Sequence, residues 1–372
     1  MNMNIAIEPI LAIVIGILIL LVPRFLNYFL ISKILQPGPS GRRILKFNLF
    51  KEGRAMSMNR IQFQPGLSMP EFLKQFGTEV QCESELEQAR WPQGFVCPCC
   101  THTGHSVFIV GSHKTFQCQA CRHQTSLIAG TLFQSTKLPL TIWFLAIYLI
   151  SQAKTGLSAL ALKRYLGVSY PTAWLIQHKL MEAMSERETN YTLSGQVQID
   201  DAYFGGELSG GKAGRGSENK VPFVAALSLD DEGHPLRVKL TPVSGFTNKA
   251  IADWAKANLS PGCAVLSDGL ACFAAVTEAG CEHQAIIVGA RKPKDVPEFL
   301  WVNTILGNLK TSLGGAYHAF DFAKYAVRYL AAFAYRFNRR FQLDTLPKRL
   351  LVAAIAIGPR SDAWLRSAEA SC

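Results

Sequence analysis

Acidic residues are scarce in this sequence. Its 372 residues include 27 Asp and Glu against 38 Lys and Arg, which gives a formal net charge of +11. This balance favours a polyanionic partner, although basic charge alone also serves solubility. The ten cysteines are too few for a disulfide-stapled module of this length, so we expect a reducing compartment and metal-bound thiolates. The 49% hydrophobic content is enough for the cores of two or three domains.

The N-terminus lacks the basic start and the small-residue cleavage site of a secretory signal. It contains instead an uncharged apolar run, ILAIVIGILILLV, at residues 10–22. Extended back to residue 5, the run reaches marginal transmembrane length but then includes Glu8 and Pro9. Residues 1–35 resemble the start of a small bacterial membrane protein of the DUF3096 type. A membrane contact through residues 5–35 is therefore one expectation.

Two CxxC pairs enclose a stretch that is predicted to form a short hairpin. They are Cys97 with Cys100, and Cys118 with Cys121. Thiolates at this spacing on tight turns can share one tetrahedral Zn²⁺, so we predict a structural zinc ribbon with these four ligands. A redox CxxC pair would need a βαβ context, which the sequence lacks here. Cys99 has no partner at the right spacing, and we expect it to be a bystander.

The next segment predicts an apolar helix and then a pair of helices joined by a turn at Gly167. Ser169 is placed to cap the second helix of the pair. The pattern is typical of a helix-turn-helix, whose second helix enters a DNA groove. In that case the basic side chains near DNA are Lys163, Arg164, His178 and Lys179. A plain αα-hairpin with a solvated basic face is the alternative.

From residue 196 the strand and helix signals follow the order of an RNase H-like α/β domain. Three strands, a helix, the strand AVLSDG, the short strand HQAIIVG and a final helical zone succeed one another. The first and fourth strands end in acid, at Asp200 and Asp268. Because these strands lie side by side in such a fold, we expect the two aspartates to bind Mg²⁺ or Mn²⁺ together. Asp201 should point to the opposite face and act from outside the ligand set.

The loop after the first of these strands contains GELSGGK at residues 206–212, which has the spacing of a phosphate-binding P-loop. Ala213 stands where that loop needs Ser or Thr to hold Mg²⁺, and the following GRGSEN cannot begin a helix. The sequence therefore disfavours a nucleotide triphosphatase. We expect Lys212 and Arg215 to contact the DNA backbone instead.

From about residue 58 to the C-terminus the sequence resembles the transposases of the IS1595 type, which share an ISXO2-like catalytic domain. The resemblance rests on WPQGFVCPCC, CQACRHQTSLIAGTLF, QIDDAYFGG, the SDG turn and VNTILGNLKTSLGGAYHAF followed by YLAAFAYRFNRRF. It implies metal-dependent cleavage at the ends of an insertion sequence, followed by attack of the freed 3′-hydroxyl on target DNA. It also implies that the partners are the terminal inverted repeats and target DNA, that the active complex is a homo-oligomer, and that the protein is cytoplasmic and nucleoid-associated.

The same resemblance suggests that a mobile element has inserted in a gene and is read in fusion with residues 1–35. Its own reading frame would then begin at Met56 or Met58. Translation from Met1 would instead tether the protein to a membrane. These two origins of the N-terminus stay open at this point.

One acidic ligand of the related enzymes is missing. Where many relatives have NTIEG, this chain reads NTILG, so Leu306 replaces the glutamate. Some subgroups of the family are similar to this chain in using asparagine as the third ligand, which makes Asn308 our first candidate and Asn303 our second. An amide oxygen is a hard ligand without charge. The other candidates nearby are His318 and Glu298 as ligands and Lys310 as a phosphate contact.

The C-terminal part alternates aromatic and basic residues between positions 320 and 341. The aromatic side chains have helical spacing and are expected in the core. The expected DNA contacts are Arg328, Arg336, Arg339 and Arg340.

We divide the sequence into six regions. They are an apolar segment (1–35), a linker (36–57), a zinc-ribbon region (58–135), a helix-turn-helix-like region (136–190), an RNase H-like catalytic domain (191–345) and a C-terminal tail (346–372). Two other interpretations stay open. One is a DNA-binding regulator that uses only the ribbon and the helix pair, and the other is an inactive transposase remnant with an N-terminal membrane segment.

Overall fold

The computed structural model describes residues 66–111, 113–205, 220–289, 291, 295–317 and 320–367. All of them belong to one compact unit, Arg60–Cys372. The predicted apolar segment and the linker lie outside the described residues. Within these ranges, no helix has both the length and the apolar character needed to cross a membrane.

The first part of the unit is a helix pair that supports a small sheet. Helices α1 (Met69–Phe76) and α2 (Glu79–Arg90) each begin with a capping box, at Ser68 and Thr78. Strands β1 (His105–Val110), β2 (His113–Cys118) and β3 (Gln124–Ser126) follow as an antiparallel sheet in the order β1-β2-β3. The hairpin predicted between the two CxxC pairs is therefore confirmed.

Arg90 joins this sheet to the helix pair. Its guanidinium donates to the backbone carbonyls of Ser126 at 3.0 Å and Leu127 at 2.5 Å, and also to that of Ala129. One planar donor group thus satisfies three carbonyls of the segment that leaves β3. The ribbon is held at this point by side-chain hydrogen bonds in addition to its own strand pairing.

The next three helices are α3 (Leu140–Gln152), α4 (Ala159–Leu166) and α5 (Tyr170–Thr189). As predicted, Gly167 ends α4 in the left-handed conformation, with φ +66°, and Ser169 caps α5 by accepting from Thr172 N at 3.3 Å. Helix α5, however, is an interior helix with an unbroken buried stretch from residue 176 to 181. This buried stretch cannot face a DNA groove.

Burial also removes two of the predicted DNA contacts. His178 is 1% exposed and stacks on Trp174 with ring centroids 4.0 Å apart. Burial, with the nearby positive charges of Arg328 and Arg366, lowers the pKa of His178 to about 3. Lys179 is 9% exposed, and its Nζ donates to Leu132 O at 3.3 Å. The expectation that these two side chains face DNA was wrong, because α5 packs on several helices at once.

A five-stranded sheet forms the second half of the unit. Its strands are β4 (Gln196–Phe204), β5 (Val221–Leu229), β6 (Pro235–Pro242), β7 (Ala264–Ser267) and β8 (Glu282–Ala285), in the spatial order β6-β5-β4-β7-β8. Pairs β4–β5 and β5–β6 are antiparallel, whereas β4–β7 and β7–β8 are parallel. Helix α6 (Asn248–Asn258) connects β6 to β7. This is the predicted RNase H-like α/β arrangement, with the first and fourth strands adjacent.

Two cores cover the two faces of this sheet. The smaller core packs α6 and the short 3-10 helix Ala271–Ala279 on Val197, Ile199 and Val265. The larger core covers the other face with α7 (Leu300–Ala316) and α8 (Phe322–Asn338), and it continues into α3, α5 and the ribbon. Ribbon, helices and sheet therefore share one apolar interior.

The predicted C-terminal tail is helical. Helices α9 (Leu346–Ala356) and α10 (Asp362–Ser367) follow α8, and Leu350 and Ala354 are fully buried in the larger core. Leu132 N donates to Ala354 O at 3.0 Å, which joins α9 to the segment after the ribbon. Residues 346–367 are therefore part of the folded unit, because their apolar positions complete its core.

Three of the four C-terminal arginines are structural, contrary to expectation. Arg328 forms a buried ion pair with Glu182 at 2.6 Å. Arg339 pairs with Glu188, and Arg340 donates to Leu236 O at 3.1 Å. These arginines join α8 to α5 and to the start of β6. Arg328 and Arg339 point inward because α5 presents the carboxylates of Glu182 and Glu188 to them.

Candidate active site

Two aspartates meet where the parallel pairing of β4 with β7 ends. The register pairs Ile199 with Ser267, so the next residues along the two strands are Asp200 and Asp268. Carboxylate oxygens of Asp200, Asp201 and Asp268 all lie within 4.8 Å of one another. The predicted adjacency of Asp200 and Asp268 is confirmed. Strand β4 itself runs on past Asp200, because residues as far as Phe204 still pair with β5.

Asp201 lies in this cluster, although strand alternation predicts that it points to the opposite face of the sheet from Asp200. Strand alternation does place its neighbour Ile199 in the smaller core and Ala202 against the larger one. Beyond Ile199, however, β4 has no paired residue on its β7 side, so side chains from both faces can reach this edge. Burial, together with the charges of Asp201 and Asp268, raises the pKa of the Cys272 thiol below the cluster. Three carboxylates therefore surround one position.

The turn after β7 orients Asp268. Its Oδ1 accepts from Leu270 N at 3.2 Å, which is the hydrogen bond of an Asx turn. Gly269 has φ +89°, a conformation that side-chain-bearing residues rarely adopt. The chain thus reverses immediately after Asp268 and leaves its carboxylate at the edge of the sheet.

Gln198 attaches helix α7 to the same strand. Its side chain is 5% exposed, and its Nε2 donates to Glu298 O at 2.5 Å while its Oε1 accepts from Val302 N at 3.3 Å. Gln198 lies two residues before Asp200, on the same face of β4. The N-terminus of α7 is therefore fixed next to the carboxylate cluster by one buried amide, which the sequence pattern alone did not reveal.

The other candidates differ in their surroundings. Asn303 and Leu306 are partly exposed, whereas Asn308 and Lys310 are exposed. Glu298 is exposed, and it is its backbone carbonyl that Gln198 binds. The remaining candidates, His318, Lys212 and Arg215, lie outside the described residues, as does the loop 206–219 with its P-loop-like spacing.

The four predicted zinc ligands come together in the ribbon. Sulfur atoms of Cys97 and Cys121 are 3.6 Å apart, and those of Cys100 and Cys118 are 3.5 Å apart. Four thiolates around a tetrahedral Zn²⁺ with bonds of about 2.3 Å would have sulfurs about 3.8 Å apart. All four sulfurs lie within 4.8 Å of one another, and Cys99 is exposed outside this group. The residues present therefore fit a zinc site.

The two halves of this cluster have the same local structure. Thr101 N donates to Cys97 O at 2.9 Å, and Arg122 N donates to Cys118 O at 3.1 Å. Both Thr101 and Arg122 have positive φ, near 60°. Backbone N–H groups of Cys121 and Ala120 hydrogen-bond the Cys118 sulfur, which lowers the pKa of that thiol to about 6. This turn thus favours the thiolate form that binds metal.

Comparisons with known proteins agree with these two sites. Residues 192–338 match the family model of the ISXO2-like transposase domain, and residues 77–124 match the transposase zinc-ribbon domain. Residues 9–31 match a protein family of unknown function, DUF3096, which agrees with the resemblance seen at the N-terminus.

A curated relative lies in a mobile element. It is an uncharacterized protein in the transposable element ISH50 of Halobacterium salinarum, and it is 30% identical over 185 residues. The match covers 45% of this chain and 61% of that relative's length. Together, these comparisons show a region similar to the transposase zinc ribbon, followed by a region similar to the ISXO2-like transposase domain of the IS1595 type.

Proposed function

We propose that this protein catalyses metal-dependent cleavage of DNA strands at the ends of an insertion sequence and then joins the freed 3′-hydroxyl to target DNA. The observation that carries the proposal is the carboxylate cluster of Asp200, Asp201 and Asp268 at the end of the β4–β7 pairing, within the transposase domain. A DNA-binding regulator would not require this cluster.

The cluster fits hard divalent cations, which take oxygen ligands from carboxylates. When bound, Mg²⁺ or Mn²⁺ would activate the attacking water or 3′-hydroxyl and stabilise the charge on the leaving oxygen. Asp200 and Asp268 would hold the metal from two adjacent strands. Asp201 adds a third carboxylate at the same edge. The sheet keeps these groups in a fixed geometry before DNA arrives, which is the protein's contribution to catalysis.

We expect Asp200→Asn and Asp268→Asn each to reduce cleavage of a plasmid that carries the element ends by roughly 10²–10³-fold, the usual effect of losing one electrostatic stabiliser of a transition state. An amide keeps the size of the side chain but removes the charge that attracts the metal. Nicking and joining are measured on gels in the presence of Mg²⁺.

The matched control is Asp253→Asn, which changes an exposed aspartate on α6 outside the cluster. It should cleave as the unchanged protein does. Full activity of both cluster variants would contradict the proposed catalytic role.

The direction of helix α7 bears on the third ligand. Its N-terminus is fixed at Gln198, two residues before Asp200. Just beyond its C-terminus, the rings of Phe320 and Phe322 lie 5.6 and 5.1 Å from that of Phe204, at the far end of β4. We therefore infer that α7 runs in roughly the same direction as β4.

The phase of this helix separates the two asparagines. Its buried stripe consists of Val302, Ile305, Leu309 and Ser312. On one flank of the stripe, Trp301 contacts His234 in the β5–β6 turn, with ring centroids 6.2 Å apart. At about 100° per residue, Asn308 lies near that flank. Asn303 and Leu306 lie on the opposite flank, which is the side toward β7.

We therefore propose Asn303, rather than Asn308, as the third metal ligand. Asn303 is on the flank toward Asp268 and is partly exposed, as a ligand beside DNA must be. Lys310 lies seven residues further along the same flank and is exposed, which suits a phosphate contact next to the metal.

Substitution of the two asparagines tests this assignment. We expect Asn303→Ala to raise the Mg²⁺ concentration needed for half-maximal cleavage by about 10-fold or more, the effect typical of disturbing a metal site. Asn308→Ala, at an exposed position of the same helix, should leave the requirement nearly unchanged. The reverse result would assign the ligand to Asn308.

For the ribbon we propose one structural zinc held by Cys97, Cys100, Cys118 and Cys121. The zinc would have no open coordination position, so its role is to fold the ribbon. Because the ribbon belongs to the larger core, loss of zinc should also weaken the packing around Phe116.

Protein purified with Cys118→Ser should lose the zinc, about one equivalent per chain, and should melt at a lower temperature. Zinc is measured by elemental analysis and melting by circular dichroism. Cys99→Ser is the control, since Cys99 lies outside the sulfur cluster and should retain both metal and stability. Retention of zinc by Cys118→Ser would contradict the ligand set.

We propose that DNA contacts the exposed corner between α4 and α5. In this proposal α5 does not enter a DNA groove as a recognition helix. Lys163 and Arg164 are exposed in the last turn of α4, next to Tyr165, which is 63% exposed, and Tyr170, which is 49% exposed. No Asp or Glu occurs between residues 88 and 181. Cations and aromatic rings without competing acids are what a polyanion requires.

This corner is joined to the catalytic helix. Ser312 Oγ on α7 donates to Thr155 O at 2.7 Å, and Leu157 N donates to the hydroxyl of Tyr317 at 3.3 Å. The loop that begins α4 therefore lies against the C-terminal half of α7. DNA bound at the corner would continue along the helix that carries Lys310.

The double substitution Lys163→Ala with Arg164→Ala should weaken binding to an element-end duplex and reduce the slope of log affinity against log salt by about 0.9 for each lost phosphate contact. Fluorescence anisotropy over a range of salt concentrations measures both quantities. Lys249→Ala is the control, because Lys249 is exposed on α6, on the other face of the sheet. Equal losses in the two proteins would refute a specific role for the corner.

A further inference from the structure

A buried serine stands directly before Asp268. Ser267 is the last residue of β7 and is 0% exposed. Its Oγ accepts from Gly269 N at 3.3 Å and lies 2.9 Å from Nε2 of His283. His283 comes from β8, where the register pairs it with Val265, so it shares a face of the sheet with Ser267. A side chain of the neighbouring strand thus reaches the turn that carries Asp268.

The polarity of this short chain of hydrogen bonds follows from its donors. Gly269 N–H can only donate, so it occupies a lone pair of the serine oxygen. Burial lowers the pKa of His283 below its ordinary value, which keeps the imidazole neutral at neutral pH. In the tautomer that carries its proton on Nδ1, Nε2 accepts the proton of the serine hydroxyl. Each donor strengthens the next in such a chain.

The two turns around Asp268 depend on this serine. Ser267 binds the backbone of Gly269, and Asp268 binds the backbone of Leu270, so two overlapping side-chain turns define the reversal. A serine side chain has three staggered rotamers, and the one present places Oγ 3.3 Å from Gly269 N. His283 favours that rotamer by accepting its proton. Without His283, the turn loses the group that holds it from outside.

We propose that His283 and Ser267 form a positioning pair that holds the Asp268 carboxylate in the geometry for metal binding. His283 does not touch the metal or DNA in this role but acts through Ser267 and the Gly269 backbone. The proposal rests on the metal role proposed above for Asp268. It adds two residues that neither the strand pattern nor the CxxC spacing indicated.

The experiment compares His283→Leu, which removes the acceptor, with His283→Gln, which restores an acceptor oxygen. We expect His283→Leu to raise the Mg²⁺ concentration for half-maximal cleavage by about 10-fold or more and to weaken Mn²⁺ binding, measured by electron paramagnetic resonance, by a similar factor. His283→Gln should recover most of both values. Ser267→Ala should behave like His283→Leu.

Two readouts separate positioning from general stability. The melting temperature and the affinity for DNA without metal should be the same in the Leu and Gln variants. If cleavage by His283→Leu falls equally at every Mg²⁺ concentration, or only in step with the melting temperature, the positioning role is refuted.

Asp268→Asn is measured alongside. Normal Mn²⁺ binding by that variant would overturn the proposed function itself, whereas a defect in Asp268→Asn but none in His283→Leu overturns only this inference.

Discussion

The four-residue parallel pairing of β4 with β7 is the contact on which the rest of the site depends. It joins residues 196–199 to residues 264–267 and so brings together two aspartates far apart in sequence. Backbone bonds from Leu193 N to Asn258 O and from Ser260 N to Leu193 O, both 2.8 Å, fix its start. A shift of one residue would turn Asp268 to the opposite face of the sheet. The smaller core prevents that shift, because Val197 and Val265 are both buried in it only in the observed register.

Charge is distributed in this protein by what each helix must pack against. Glu182 and Glu188 of the interior helix α5 are paired with Arg328 of α8 and with Arg339 directly after α8, since a buried carboxylate is costly without a partner. These arginines are therefore committed to the fold. Exposed cations that are not paired in this way include Lys163 and Arg164, in the acid-free region before Glu182, and Lys310 on α7. The arginines at this end of the sequence thus include residues that form buried ion pairs between elements and do not form a DNA-binding surface.

The features that could be predicted from the sequence are those that short sequence patterns determine. The paired cysteines and the order of the strands could be read from the sequence, because turns and alternating strands have short periods. The adjacency of Asp200 and Asp268 followed from that order, because the first and fourth strands lie side by side in an RNase H-like fold. Tertiary packing decided the rest. The burial of His178, the helix in place of a C-terminal tail, and the arrival of Asp201 at the cluster depend on which elements meet. Gln198 and His283 were missed for the same reason, since each acts on a segment distant in sequence.

The shared larger core has a mechanical meaning. Phe116 of the ribbon and Phe223 of the sheet belong to one packed interior, and α9 lies between the ribbon segment and the interior helices. The ribbon is therefore packed against the rest of the unit and is not a separate domain on a linker. The distance between the α4–α5 corner, proposed above to contact DNA, and the carboxylates is likewise set by the packing of this one unit. In the proposed function, the packing of this unit, and not the length of a linker, would then set where the DNA meets the carboxylates.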